Sequence, residues 1–278
     1  MIKSAATAYL FDRRLLRLRR SRLDAMGVKR TRLHQYLQHQ LINRLQLIKR
    51  DFQDVLVLGD ADLAHLFEKS NYWQFSLTGK ASTLQLDDEF LPFGRGKFDL
   101  IISVLEMHHF NDIPGFLQQV KYCLKSDGLF LGVFLGQDTL WQLRHATQVV
   151  EEEIYGGVSP RVAPMVKLSD AAALMQRAGF ALPVVDMDQI EMNYSGTQSF
   201  LEELKTVGLS NVMLERPHRG VEKKFLKELI QFYDRHYRNS TGISAGFTAV
   251  YLSGWAPSEA QPKALTRGTA TVFLGDFI

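Results

Sequence analysis

The spacing of apolar side chains changes character along this chain. Over the first 48 residues they recur every three or four positions, with Leu33, Tyr36, Leu37, Leu41, Ile42, Leu45 and Ile48 in register, which predicts helix. Val55–Leu58 is instead a continuous apolar run, the pattern of a strand covered on both faces. Two more such runs follow, F-D-L-I-I-S-V-L at 98–105 and G-L-F-L-G-V-F-L at 128–135. Between them the pattern predicts a helix over about 113–124, with Pro114 in its first turn. The K-S-D-G that follows is read as its terminator, with Gly128 in the left-handed conformation. Strand, helix and strand at this spacing predict a right-handed parallel crossover. Several in series predict a doubly wound, mostly parallel α/β sheet.

Beyond Leu135, Asp138 or Thr139 is placed to cap a helix running to about Ile154. A loop, Y-G-G-V-S-P-R-V-A-P, precedes a helix over 169–178 that Gly179 closes. A strand over 183–192, helices over 197–207 and 221–238, and a last strand ending at Trp255 complete the pattern. The tail R-G-T-A-T-V-F-L-G-D-F is also strand-like. These elements divide the chain into a basic helical region, 1–50, packed on an α/β domain, 51–278. Helical insertions in that domain are expected at about 137–167 and 196–240.

Composition narrows the picture. No apolar run approaches the roughly 18–20 residues that span a bilayer. Cys123 is the single cysteine, so neither an internal disulfide nor a cysteine-built zinc site exists, and V-K-Y-C-L-K reads as a buried position. The net charge of +3 is unevenly spread: the first 32 residues hold ten lysines and arginines against two acids, a local +8 that leaves −5 elsewhere. A basic helix of this kind fits nucleic acid, an anionic lipid surface or an acidic protein face, and its composition also resembles a transit peptide. The alternative is a helix that packs on the main domain through Leu10, Leu15, Leu16, Leu18 and Leu23. Without aromatic interleaving or a recognition motif, no nucleic-acid partner is expected.

The corner V-L-V-L-G-D-A-D-L at 55–63 is where an α/β sheet would bind a nucleotide. Glycines are needed there to let main-chain N–H groups approach the ligand, yet only Gly59 is present. Taken with L-F-D-R-R-L-L-R-L-R-R-S-R (10–22), D-D-E-F-L-P-F (87–93), F-D-L-I-I-S-V-L-E-M-H-H-F-N-D-I-P (98–114), L-K-S-D-G-L-F-L-G (124–132), G-Q-D-T-L-W-Q-L-R (136–144), G-G-V-S-P-R-V-A-P (156–164) and R-G-T-A-T-V-F-L-G (267–275), the chain resembles the class I S-adenosylmethionine (SAM) dependent methyltransferases. The likeness is greatest to the branch that contains the mitochondrial complex I assembly factor acting as an arginine hydroxylase. It implies a seven-stranded Rossmann-like sheet, with the basic helix part of the fold. Since F-D-R-R starts so near the first residue, a bacterial, cytoplasmic protein is expected.

The departures from the family pattern fall at the cofactor site. D-L-G-x-G-x-G is replaced by Val57-Leu58-Gly59-Asp60-Ala61-Asp62-Leu63, and Ser76, Leu77 and Thr78 offer no acid for the ribose. Leu63 is expected to crowd the amino-acid end of SAM. The resemblance nevertheless implies cofactor contacts at Gly59, Asp60, Asp87, Asp88, Ser103 and His108, with Asp87 on the adenine amino group. It implies His108 and Asp138 as catalytic groups, and Trp141, Arg144 and Tyr194 as acceptor contacts, without a metal. Each has a plainer reading. His108, His109 and Asp112 fit a general base, a two-histidine, one-carboxylate iron site, or a packed floor with Asp112 as a helix cap. Asp138 fits an N-cap, Arg144 an ion pair, and Trp141 and Tyr194 the core. Asp186, Asp188 and Glu191 read as a solvated edge. Two functions remain open: a SAM-dependent enzyme acting on a protein or carrier-bound acceptor, including arginine hydroxylation on a respiratory-complex subunit, or an inactive assembly factor that uses the fold for docking.

Overall fold

The computed structural model describes residues 9–27, 31–77, 84–87, 89–218 and 220–262. Thr78, Asp88 and the strand-like tail, with the 267–275 stretch, lie outside the described residues.

The N-terminal helical pattern resolves into α1 (Arg13–Ala25) and α2 (Arg32–Gln46). Both start on side-chain caps: the Asp12 carboxylate accepts from Leu15 N–H, and the Thr31 hydroxyl accepts from His34 N–H. Then come β1 (Asp54–Leu58), β2 (Asn71–Ser76), β3 (Leu84–Gln85) and β4 (Phe98–Val104). The second half runs α3 (Ile113–Cys123), β5 (Leu124–Leu135), α4 (Trp141–Tyr155), α5 (Leu168–Ala178), β6 (Ala181–Tyr194), α6 (Thr197–Thr206), α7 (Lys223–His236), β7 (Arg238–Asn239) and β8 (Gly242–Trp255).

The strands lie in the order β3-β2-β1-β4-β5-β8-β6, with β7 paired on β8. Pairs from β3 through β5 are parallel, whereas β8 runs antiparallel to both β5 and β6. The expected seven-stranded, mostly parallel path is present, and the two-residue β7 is an addition that periodicity could not reveal. Alternation along the strands sends side chains to opposite faces. Val55, Val57, Leu100 and Ile102 join a cluster that includes Leu33, Leu37 and Leu41 of α2 and Leu229 of α7. Leu56, Leu58 and Ile101 join the opposite cluster, with Phe116 and Val120 of α3 and Met175 of α5. Continuous apolar strands are explained by this covering of both faces.

Three local expectations need correction. The left-handed residue after α3 is Asp127 (φ 61°), not Gly128. Gly128 serves close approach instead, since a Cβ there would sit 2.9 Å from the Lys125 carbonyl oxygen and 3.1 Å from that of Phe98. Neither Asp138 nor Thr139 caps α4. Its cap position is Leu140 in the left-handed conformation (φ 58°), with no side-chain cap bond, because Thr139 is buried and its hydroxyl bridges to β8, donating to the Thr248 carbonyl and accepting from the Thr248 N–H. The Leu10 and Leu18 side chains stay well exposed, and the apolar seat of the N-terminal region is Phe11 and Leu16, packed with Val212 and Met213.

Leu37 is fully buried between α2 and the sheet. Leu37→Ala is expected to cost about 2–5 kcal/mol, read as a lowered denaturation midpoint with an unchanged slope.

Candidate active site

The parallel strands point their carboxyl ends at one edge of the sheet, the place where this architecture binds ligands. Three acids gather there. Asp87 follows β3, Glu89 lies two residues on, and Glu106 follows β4. Glu89 and Glu106 are buried, and such acids are stable only if paired. Their partners come from one face of α1, where Arg13, Arg17 and Arg20 are spaced by four and three residues. Arg13 donates to Asp87 at 2.7 Å and lies 3.3 Å from Glu89; Arg17 reaches Asp87 at 3.8 Å; Arg20 donates to Glu106. Asn111 completes the seat, its side-chain oxygen accepting from the N–H groups of Leu10 and Phe11, both at 2.8 Å. Burial pushes the Glu89 carboxyl above its usual range, against the pull of the Asp112 N–H and the Arg13 charge. The basic helix thus lies across the ligand edge, with the charges of Arg13, Arg17 and Arg20 answered by the domain's own acids.

The loop after β1 is closed from within. Gly59 has φ 102°, and a Cβ there would meet the Val104 carbonyl oxygen at 2.4 Å, so only glycine fits. Gly59 N–H donates to Phe75 O, and Asp62 N–H donates to the Gln38 side chain. Gln74, buried in β2, donates to the carbonyls of both Gly59 and Ala61, while His34 and Gln38 of α2 contact the carbonyls of Asp60 and Asp62. Ala61 and Leu63 are buried in the cluster beneath α2. The loop runs into a three-residue turn, Ala64–Leu66, so it offers no α-helix N-terminus to an anion. As arranged, these residues do not fit SAM: the groups that would hold its amino-acid end hold protein instead.

The remaining residues singled out from sequence scatter. Ser103 is fully buried at the end of β4, with no hydrogen bond to its hydroxyl. His108 and His109 are buried in the turn Met107–His109, their rings 4.2 Å apart. The His109 ring meets the edge of Phe11 at 5.5 Å. Burial first, then His108, Arg20 and Arg13, hold His109 well below the usual histidine range, so it is a neutral packing group. Asp112 accepts from Gly115 N–H as the cap of α3, and among the described residues no cluster of three potential ligands could hold a metal. Asp112 thus serves as the helix cap that its place before α3 allowed. Asp138 is exposed. Trp141 is half-exposed against Tyr237, Arg144 donates to the Ala163 carbonyl, and Tyr194 is buried against Phe200. None of these four reaches the acid cluster. Asp186 and Asp188 pair with Arg44 of α2, and Cys123 is buried, its thiol pushed up to about 11. The groups missed from sequence are Arg13, Arg17, Arg20, Glu89 and Glu106. The arginine spacing was visible, but the acids that answer it lie 70 or more residues away in the chain.

Comparison with known proteins agrees with this architecture. The family described as "Methyltransferase domain" matches residues 45–132. The chain is 34% identical over 163 residues to the Rickettsia prowazekii protein RP459, which carries the name of a methyltransferase, covering 58% of this chain and 71% of RP459. It belongs to the class I methyltransferase family. The human protein named arginine-hydroxylase NDUFAF5, mitochondrial, is 39% identical over 194 residues, 68% of this chain and 55% of that protein, so the chain spans about half the length of that relative. The Bacillus subtilis protein YcgJ shares the fold, with TM-score 0.52 and 16% identity over 79% of this chain and 99% of YcgJ.

The depressed His109 has a pH consequence. The unfolded chain binds a proton at this group near pH 6.5 and the folded chain does not, so folding stability is lost as pH falls through and below that value. Thermal unfolding from pH 7.5 to 5 should show the wild type losing up to about 1.4 kcal/mol per pH unit more than His109→Phe.

Proposed function

We propose that this chain is an enzyme of the methyltransferase family that acts on an arginine side chain of a respiratory-complex subunit during its assembly. The observation that carries the reading is the acid cluster. Asp87, Glu89 and Glu106 stand at the ligand edge of the sheet, and the three guanidinium groups they hold belong to this chain's own α1. A cleft that binds arginine in one polypeptide segment can bind it in another, since the fork of guanidinium donors meets paired carboxylate oxygens equally well in either. In this reading α1 covers the cleft and must yield to the substrate segment. The name of the NDUFAF5 relatives, arginine-hydroxylase, supports the same choice of side chain.

A second reading is favoured by the closed loop after β1. If Gln38, His34 and Gln74 keep it shut, the chain holds an arginine-bearing partner without altering it, as an assembly factor. Calorimetric titration with SAM separates the two. Micromolar binding, by the native chain or by one with α1 weakened, supports an enzyme that uses the family's cofactor; no binding by either supports docking alone.

Arginine recognition is tested in a chain carrying Arg13→Gln, Arg17→Gln and Arg20→Gln. Uncovering buried acids should lower its melting temperature. A synthetic peptide copying residues 12–24 should restore it and bind about tenfold or more tightly than the same peptide with citrulline for arginine. Equal effects of the two peptides would contradict the reading.

A further inference from the structure

Helix α1 has a second face. Arg19, Arg22 and Leu23 turn away from the acid cluster and line an open cavity of about 760 Å³, whose other walls come from α4, α6, the 209–218 segment and α7. That volume falls within the roughly 300–1,000 Å³ of small-molecule sites. The cavity has two chemically distinct parts. Its walls are apolar, with Leu143 from α4, Leu204 from α6, and Phe225 and Leu229 from α7. Arg19, Arg22, Arg161, Lys205 and Arg216 line it, Arg161 held by Glu151 at 2.7 Å, and none of the described lining residues is acidic.

The rim charges are only partly answered by the protein. Arg216 lies 3.5 Å from Asp12 and Arg19 donates to the Asn211 carbonyl, whereas Arg22 and Lys205 form no ion pair among the described residues. Burial, followed by the neighbouring charges of Arg216 and Arg22, works against the Arg19 cation. Crowding like charges beside an apolar hollow is costly, and an anion placed among them relieves it. On the wall, Leu226 is 38% exposed and Val221 57% exposed, large apolar side chains facing open space.

From this pairing we propose that the cavity is a binding site for a single-chain anionic amphiphile, with the alkyl chain between α6 and α7 and the anionic head among Arg19, Arg22 and Lys205. Charge complementarity selects the head and the apolar walls select the tail. An arginine side chain is excluded from this rim by like charge, so the site is separate from the acid cleft and does not depend on what that cleft binds. Because α1 forms one wall of the cavity and the cover of the cleft, a bound amphiphile would also fix α1 in place.

The test is calorimetric titration of the full chain with dodecyl phosphate below its aggregation concentration. Inorganic phosphate, dodecyl maltoside and dodecyltrimethylammonium serve as the head-only, uncharged and cationic comparisons. Saturable binding of dodecyl phosphate at one equivalent is expected, at least about tenfold tighter than any of the three. Arg22→Glu, at an exposed rim position, should weaken it about tenfold or more. Leu226→Glu, which places a charge on the wall at an exposed helical position, should weaken it comparably while leaving phosphate binding unchanged. Equal affinity for phosphate and dodecyl phosphate would overturn the proposal, as would equal affinity for the uncharged or cationic amphiphile. So would indifference of binding to both substitutions.

Discussion

The structure turns on the grip of three carboxylates on one helix. Asp87 and Glu89 follow β3 and Glu106 follows β4, and the parallel topology brings the two connections to one edge. Two of them are buried, and a buried carboxylate without a partner is costly to fold. Arg13, Arg17 and Arg20 of α1 therefore answer a need set by the domain. Phe11 and Leu16 add a small apolar anchor at the same place. Here the crevice carries its own cover.

The closed loop after β1 is part of the same economy. The carbonyls of Gly59, Asp60, Ala61 and Asp62 find their partners in Gln74, His34 and Gln38. Ala61 and Leu63 then extend the core under α2. The sequence departures at this corner are thus a consistent local structure, in which backbone groups are satisfied and apolar groups buried, with Gly59 retained because its backbone has no alternative.

Much of the architecture was readable before the structure. Continuous apolar runs located β1, β4 and β5, and periodicity located α2, α3, α5 and α7, because burial on one or both faces leaves a direct mark on residue order. The family resemblance placed Asp87 after the third strand, and the strand pattern placed Gly59 after the first, but neither revealed their partners. Arg13 and Glu89, or Arg20 and Glu106, are joined only when the sheet is assembled, so nothing local distinguishes them from solvated charges. The cap of α4 was misread for a related reason: Thr139 has the chemistry of a cap, but β8 competes for its hydroxyl. Tyr194 likewise looked like a pocket residue until α6 and α7 were seen to bury it.

The claim that the acid cluster binds α1 through specific pairing is tested most directly by a double-mutant cycle on Arg20 and Glu106, using Arg20→Met, Glu106→Gln and the double variant in denaturant unfolding. Both side chains are largely buried, so the pair should couple by about 1–3 kcal/mol, the double variant being less destabilised than the two single variants combined. A coupling below about 0.5 kcal/mol would mean that the two charges act independently, and that the helix is held over the cleft by something other than arginine recognition.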